Sequence, residues 1–254
     1  MKIGDSLPVS SFDFLHRYHF EYEQEKAIAT TTRNREKDFR QFTVRSNERV
    51  TAVDHFQDVV HENSPVFEIR FTYRPGDILW VHPHNLNESL DIAIEALAYS
   101  DTVLDKKIFI KPNDPSIQKP SPCLVKGKLP TTFLEPTTLR YCLTRYLDLQ
   151  MVPRRSFFKK LAKLSSNLME REKLEELGSP EGIDAYFDYC VRPRRTAAEC
   201  LRDFGDTAKN LAPESLFDIL PPIKPRAYSI ASCPGKHPYI EILAAKLGCR
   251  DILA

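Results

Sequence analysis

Glycine is the first shortage. The chain holds 8 glycines in 254 residues, where average usage of about 7% would give roughly 18. They stand at positions 4, 76, 127, 178, 182, 205, 235 and 248, and no grouping of them makes G-x-G-x-x-G or G-x-x-x-x-G-K-[ST]. A phosphate-cradling loop needs clustered glycines so that backbone N–H groups can approach the anion. A Rossmann or P-loop nucleotide site is therefore not expected in these residues. An excess of charge is missing as well. Lys and Arg total 36 against 35 Asp and Glu, a formal net charge of +1. That balance offers no bulk field for nucleic acid or an anionic membrane. No apolar run approaches the roughly 18 to 20 residues that span a bilayer. Asp5, Asp13, His16 and Arg17 break any signal-peptide pattern at the start. The expectation is a soluble, non-secreted, cytoplasmic protein with neither a nucleic-acid nor a membrane partner.

Paired cysteines are also lacking. The six cysteines, at 123, 142, 190, 200, 233 and 249, contain no C-x-x-C, which argues against a zinc module or a dithiol redox centre. They read as free buried thiols of an intracellular protein. His82 and His84 alternate beside Pro83, but no third ligand accompanies them, so the metal prediction is none.

What is present is ordinary in bulk: 42% hydrophobic and 28% charged residues, with 19 prolines, as in a soluble globular protein. Residues 1–38 read as a linker, with at most a short strand or helix around Phe12–Phe20. Phe42 and Val44, then Val50 and Val53, predict two short strands about a turn at Ser46-Asn47-Glu48. Phe67, Ile69, Phe71 and Tyr73 alternate with polar residues as in a half-buried strand. Pro75-Gly76-Asp77 is a turn signal, and Ile78-Leu79-Trp80-Val81 restarts a strand. Residues 87–99 look helical, 107–111 form a short strand, and 112–136 carry six prolines and read as a loop.

From Thr137 to Phe204 the period is 3.6. Leu139, Leu143, Tyr146 and Leu147 make one stripe, and Phe158, Leu161, Ala162 and Leu164 another, capped at Ser156. Further helices are expected over 167–177 and 181–190, with Thr196 or a neighbour starting the last. Strand patterns return at 226–232 and 239–247. The strands at 40–82 have too little surface to cover themselves and need the C-terminal strands as partners. The pattern predicts one discontinuous β domain interrupted by a helical insertion.

The chemistry concentrates in Arg226-Ala227-Tyr228-Ser229-Ile230-Ala231-Ser232, after the lead Pro221-Pro222-Ile223-Lys224-Pro225. Arg offers a planar fork of donors for phosphate oxygens. Tyr gives a flat face for a ring, and Ser a small donor. The trio suits a ligand that joins a phosphate to a planar heterocycle. Taken alone, the string also fits an ordinary structural strand.

R-A-Y-S-I-A-S resembles the R-x-[YF]-S flavin motif of ferredoxin-reductase-type FAD domains. Other matches follow in order. Ser46-Asn47-Glu48-Arg49-Val50-Thr51 with His55-Phe56-Gln57-Asp58-Val59 is similar to the first strands of NADPH-dependent diflavin oxidoreductases. Pro75-Gly76-Asp77 with Val81, Pro83 and Asn85 resembles their P-G-D-x-x-x-V-x-P-x-N hairpin. Tyr146-Leu147-Asp148, Val152 to Phe158, and Glu170 to Leu174 resemble their helical connecting insertion. Arg192-Pro193-Arg194-Arg195-Thr196 resembles the opening of its last helix. The resemblance covers roughly residues 40–243.

The resemblance implies an α+β fold: an incomplete antiparallel Greek-key β-barrel of the ferredoxin-reductase-type FAD domain, with a large all-α connecting insertion. The boundaries it implies are a linker at 1–38, a first barrel part at 39–85, a mainly helical insertion at 86–220 and a second, truncated barrel part at 221–254. Arg226 would bind the FAD pyrophosphate, and Ala227 would contribute main-chain contacts. Tyr228 would stack on the isoalloxazine. Ser229, the catalytic candidate, would lie near flavin N5 and assist hydride transfer. Arg194 matches a flavin-contacting arginine, although Arg194 and Arg195 also read as a basic helix start on a solvated face.

In that family electrons pass from NADPH to FAD, then FMN, then an anamorsin-type iron–sulfur protein of cytosolic cluster assembly. FMN and NADPH would belong to the complete enzyme only. The register is lost near Ala244, before the family's G-x-x-[ST] turn. The expectation is a chain truncated at both ends, binding FAD weakly and oxidising no NADPH alone. Two phosphate hydrogen bonds lost at about 1.5–3 kcal/mol each remove roughly two to four decades of affinity. The alternative is an inactive isoform or fragment acting as a protein-interaction module.

Overall fold

The computed structural model describes residues 17–22, 44, 46–52, 58–64, 73–113, 136–233, 235–237 and 240–246. The chain divides into two compact units. One comprises residues 1–29 and 84–223, the other residues 30–83 and 224–254.

The first unit carries a three-stranded antiparallel sheet beneath helices. Its strands are β1 (Tyr18–Tyr22), β5 (Lys107–Pro112) and β6 (Thr137–Thr138), in the order β1-β5-β6. β1 overlaps the short strand or helix allowed around Phe12–Phe20 within the expected linker. Alternation places Tyr18 inward on β1 and Ile108 and Ile110 inward on β5. The insertion is thus not all-α: β5 and β6 fall inside 86–220, and β1 supplies the partner that lets β5 satisfy its backbone.

The helices are α1 (Asn87–Leu97), α2 (Asp101–Asp105), α3 (Leu139–Arg145), α4 (Arg155–Leu164), α5 (Leu168–Gly178) and α6 (Ile183–Tyr186). A π-helix (Phe187–Val191), α7 (Ala197–Asp203), α8 (Gly205–Ala208), a 3-10 turn (Pro213–Ser215) and α9 (Leu216–Ile219) follow. On α4, Phe157, Phe158, Leu161 and Ala162 face inward while Lys159 and Lys163 face water. Phe158 is fully buried, edge-on to Tyr186 and Tyr189. Burying one such ring stabilises the fold by about 1.5–3 kcal/mol.

Three local expectations are corrected. Ser156 is not the cap of α4: Arg154 holds the extended cap position and accepts the Phe157 N–H at 2.8 Å, so Ser156 already lies in the first turn. Residues 181–190 do not form one α-helix, because after Tyr186 the turns widen and the Arg192 N–H reaches back five residues to the Phe187 carbonyl. The cysteines are not uniformly buried either: Cys142, Cys190 and Cys200 are, but Cys233 is exposed. Thr196 does start α7, through a reciprocal capping box with Glu199.

The second unit contributes β2 (Ser46–Arg49), β3 (Asp58–Ser64), β4 (Ile78–Val81), β7 (Arg226–Ser229) and β8 (Ile240–Lys246). They form the sheets β2-β3-β8 and β4-β7, every pairing antiparallel. The 40–82 strands do find C-terminal partners, in β8 for β3 and β7 for β4. Ser46-Asn47-Glu48 is strand rather than turn. Opposite β3, with Ser46 across from Asn63 and Arg49 across from Val60, a polar segment can serve as an exposed edge. The Phe67–Phe71 strand and most of the 112–136 loop lie outside the described residues, and the described strands do not close a barrel.

Candidate functional site

The site is built on β7 and its partner β4. Val81 lies across from Arg226, Trp80 from Ala227, Leu79 from Tyr228 and Ile78 from Ser229. β4 begins after a tight turn in which Gly76 has φ +95°, the left-handed region glycine enters freely. The Arg74 N–H donates to the Asp77 carboxylate at 2.8 Å, and the Asp77 N–H to the Arg74 carbonyl at 3.0 Å, which close that turn.

Side chains alternate along β7. Arg226 and Tyr228 share one face with Val81 and Leu79. Ala227 and Ser229 share the other with Trp80 and Ile78. The second face is open, with Trp80 64% exposed and Ile78 53%. Arg226 is exposed, and among the described residues its guanidinium makes no ion pair, while Tyr228 is half-buried.

The backbone alternates too. The Ile230 N–H donates to the Asp77 carbonyl at 3.4 Å, one step beyond the ladder, and the Ala231 N–H donates to Glu241 at 2.7 Å on β8. Antiparallel alternation then turns the main-chain groups of Arg226 and Tyr228 toward β4, and those of Ala227 and Ser229 toward the opposite edge. Beyond Ser229 that edge meets β8 at the Ile230–Ile242 bridge. At Ala227 no described strand pairs with it. A ligand touching Arg226, Tyr228 and Ser229 together must lie along this edge, because Tyr228 and Ser229 point to opposite faces.

Ser232 anchors the end of the segment. It is buried, its hydroxyl 2.8 Å from the Tyr73 hydroxyl, and it accepts the Glu241 N–H at 3.1 Å.

Arg194 belongs to the other unit, in the turn after the π-helix. Its φ is +54°, a left-handed conformation rare for a long side chain. The two arginines differ. Arg195 is held by Asp203, by the Tyr189 carbonyl at 3.1 Å and over the Tyr189 ring at 4.6 Å. Arg194 is exposed, and among the described residues its side chain has no partner. Arg195 is thus structural, and Arg194 is the arginine available to a ligand.

The structure therefore brings Arg226, Ala227, Tyr228 and Ser229 together on one strand and leaves Arg194 in the other unit. His82 and His84 lie beyond β4, and among the described residues no three His, Cys, Asp or Glu side chains gather as a metal site.

Two contributors escaped the sequence reading. Trp80 lies across from small Ala227, on the Ser229 face, and is largely exposed; its position within an alternating strand was the available signal. Asn85, visible only as the last letter of a motif, is a buried staple. It donates to the Leu143 and Leu147 carbonyls at 2.6 and 2.7 Å and accepts the Leu149 N–H at 3.2 Å.

Comparison with known proteins bears on this geometry. A family model described as "FAD binding domain" matches residues 32–246. NADPH-dependent diflavin oxidoreductase 1 of Bos taurus is 39% identical over 201 residues, covering 79% of this chain and 32% of that protein. The Danio rerio protein of the same name is 37% identical over 210 residues, with 82% and 33% covered. That of Saccharomyces cerevisiae is 33% identical over 225 residues, with 83% and 34% covered. The chain spans about a third of the length of the curated relatives it matches.

Proposed function

The chain belongs to the FAD binding domain family, and from that premise we propose that it is the FAD-binding portion of a diflavin oxidoreductase. In this reading electrons pass from NADPH through FAD and FMN to an anamorsin-type iron–sulfur protein of cluster assembly in the cytoplasm. FMN and NADPH belong to the complete enzyme. Among the described residues no helix is long and apolar enough to cross a membrane.

One observation carries the proposal: an exposed, unpaired Arg226 and a half-buried Tyr228 on one face of β7, beside an edge bordered by Ala227 and Ser229. These residues fit FAD. A guanidinium without a carboxylate partner can accept the pyrophosphate. An aromatic face and edge-directed backbone groups suit a planar heterocycle that is itself rich in donors and acceptors. FAD supplies the redox chemistry when bound, and the protein supplies position and electrostatics.

In this reading Arg226 holds the pyrophosphate, Tyr228 stacks on the isoalloxazine and Ala227 contributes main-chain contacts, while Arg194 keeps the flavin-contacting role that the resemblance implies. Ser229 presents its hydroxyl to the reacting edge. The β segments 39–85 and 221–254 are two parts of one Greek-key barrel, and 86–220 is the connecting insertion. The antiparallel pairings of β3 with β8 and β4 with β7 support that assignment, since they join the two segments across the insertion.

The test is a titration of the purified chain with FAD, followed by visible absorbance. Saturation at one FAD per chain, lost in Tyr228→Ala with the fold intact, is the expected result. A flat titration of a folded chain would overturn the reading and leave an interaction module as the alternative.

A further inference from the structure

Asp218 on α9 is buried, its side chain only 1% exposed. A carboxylate taken out of water needs a cation, and removing that cation ordinarily destabilises a fold strongly. Arg17, just before β1, supplies it. Its Nε donates to Asp218 Oδ1 at 2.6 Å and its Nη2 to the Phe217 carbonyl at 2.7 Å. A second cation reaches the same residue from elsewhere: Lys160 on α4 donates its ammonium to the Asp218 main-chain carbonyl. Arg17 holds the carboxylate, and Lys160 waits one carbonyl away on a flexible four-carbon stem.

The neighbouring anchor is duplicated in the same way. Tyr18 and Phe20 of β1 stand edge-on to Phe217, with ring centroids at 6.2 and 5.7 Å. Tyr146, from the end of α3, stacks on the same ring at 6.0 Å. Each α9 residue that grips β1 thus has a further partner outside β1: Lys160 for Asp218 and Tyr146 for Phe217.

β1 is also placed to leave. It is an edge strand in the order β1-β5-β6, and among the described residues it pairs with β5 alone. Its departure breaks one ladder and leaves β5 paired with β6. β1 is the one described element of its unit that precedes residue 84.

We propose that β1 is a releasable strap, which leaves the sheet edge while α9 keeps its place because Lys160 takes over Asp218 and Tyr146 keeps Phe217. Release bares the N–H and C=O groups of β5 along Lys107–Pro112, an edge on which an extended segment can pair. The charges favour the exchange. The Lys160 ammonium is held below its usual range, first by burial and then by the Arg17 charge, while Asp218 opposes both. Departure of Arg17 removes one of the two penalties and leaves the attraction. The strap belongs to the unit that lacks β7, and the proposal does not rest on flavin binding.

The experiment is hydrogen–deuterium exchange of the full chain, read by peptic digestion and mass spectrometry. In the wild type at low urea, peptides from β1 and β5 should exchange ahead of those from α4 and α9, because the strap opens as its own unit. Arg17→Met should speed the β1 and β5 peptides about tenfold or more and leave α4 and α9 as protected as before. Adding Lys160→Met to that variant should spread the fast exchange to α4 and α9, since Asp218 then has no cation. The proposal is overturned if wild-type β1 opens only together with α4 and α9 at every urea concentration. It is equally overturned if Arg17→Met opens α4 and α9 or leaves β1 protected, or if the double variant matches Arg17→Met.

Discussion

Asn85 donates its side-chain amide to the carbonyl of Leu147, 62 residues later in the chain, at 2.7 Å. The same amide serves Leu143, and its oxygen takes the Leu149 N–H. Three backbone groups in a buried corner thus depend on one side chain. Asn85→Ala should cost at least about 1–3 kcal/mol, the cost of leaving even one buried polar group unsatisfied. Urea denaturation followed by far-ultraviolet circular dichroism measures it. A loss under half a kilocalorie would show that water replaces the amide fully.

Arg226 is the exposed cation of β7. Arg226→Ala should weaken FAD binding by about one to two decades while leaving the fold unchanged, the worth of one charge-assisted hydrogen bond to phosphate. Isothermal titration reads it directly. Unchanged affinity would move the pyrophosphate elsewhere.

Trp80 is the single tryptophan of the chain, and it shares the exposed face of Ala227 and Ser229. FAD lying along the β7 edge should quench its fluorescence in step with saturation. Saturable flavin binding without any change in Trp80 emission would place the ring on the Tyr228 face alone.

Gly182 precedes α6, and a Cβ there would lie 2.0 Å from the Glu176 carbonyl oxygen, a backbone atom that cannot swing aside. Gly182→Ala should therefore destabilise the chain by at least about 1–3 kcal/mol, the usual cost of overpacking. Thermal melts compare the two; an unchanged Tm would mean that the α5–α6 connection shifts freely.

Glu199 titrates with a definite sign. Partial burial pushes its carboxyl up, but the Thr196 N–H and hydroxyl, with Arg195 and Arg202, outweigh this and hold it below the usual carboxylate range. A depressed folded value stabilises above the unfolded value and fades as pH falls through the folded one. Glu199→Gln should thus cost about 0.5–1 kcal/mol at neutral pH, discounted for its partial exposure, and progressively less as pH falls through the depressed folded value. Chemical denaturation across pH 3–7 tests it; a penalty that persists at low pH would assign the loss to packing.

Much of the architecture was legible because it is written in short-range periodicity. The inward Phe158 and Leu161 of α4, the alternating β4 and β8 and the Thr196 cap each follow from spacing and capping chemistry within a few residues. The Arg226–Ser229 string, which resembles a flavin motif, was legible for the same reason, as four consecutive letters. Errors arose where a partner decided the outcome. Ser46-Asn47-Glu48 is polar enough to turn and becomes strand only because β3 offers a ladder. β1 overlaps the short strand or helix that the sequence left open around Phe12–Phe20, and pairing with β5 makes it strand.

The sequence by itself determined which residues carry donors, rings and thiols, and which faces of the helices turn inward. Tertiary structure alone decided which of Arg194 and Arg195 is held by Asp203 and the Tyr189 ring, and that Asn85 is a staple. The physical reason is that periodicity acts over a few residues along the chain. Hydrogen-bond satisfaction and charge pairing are settled by whatever the fold brings within about 3 Å.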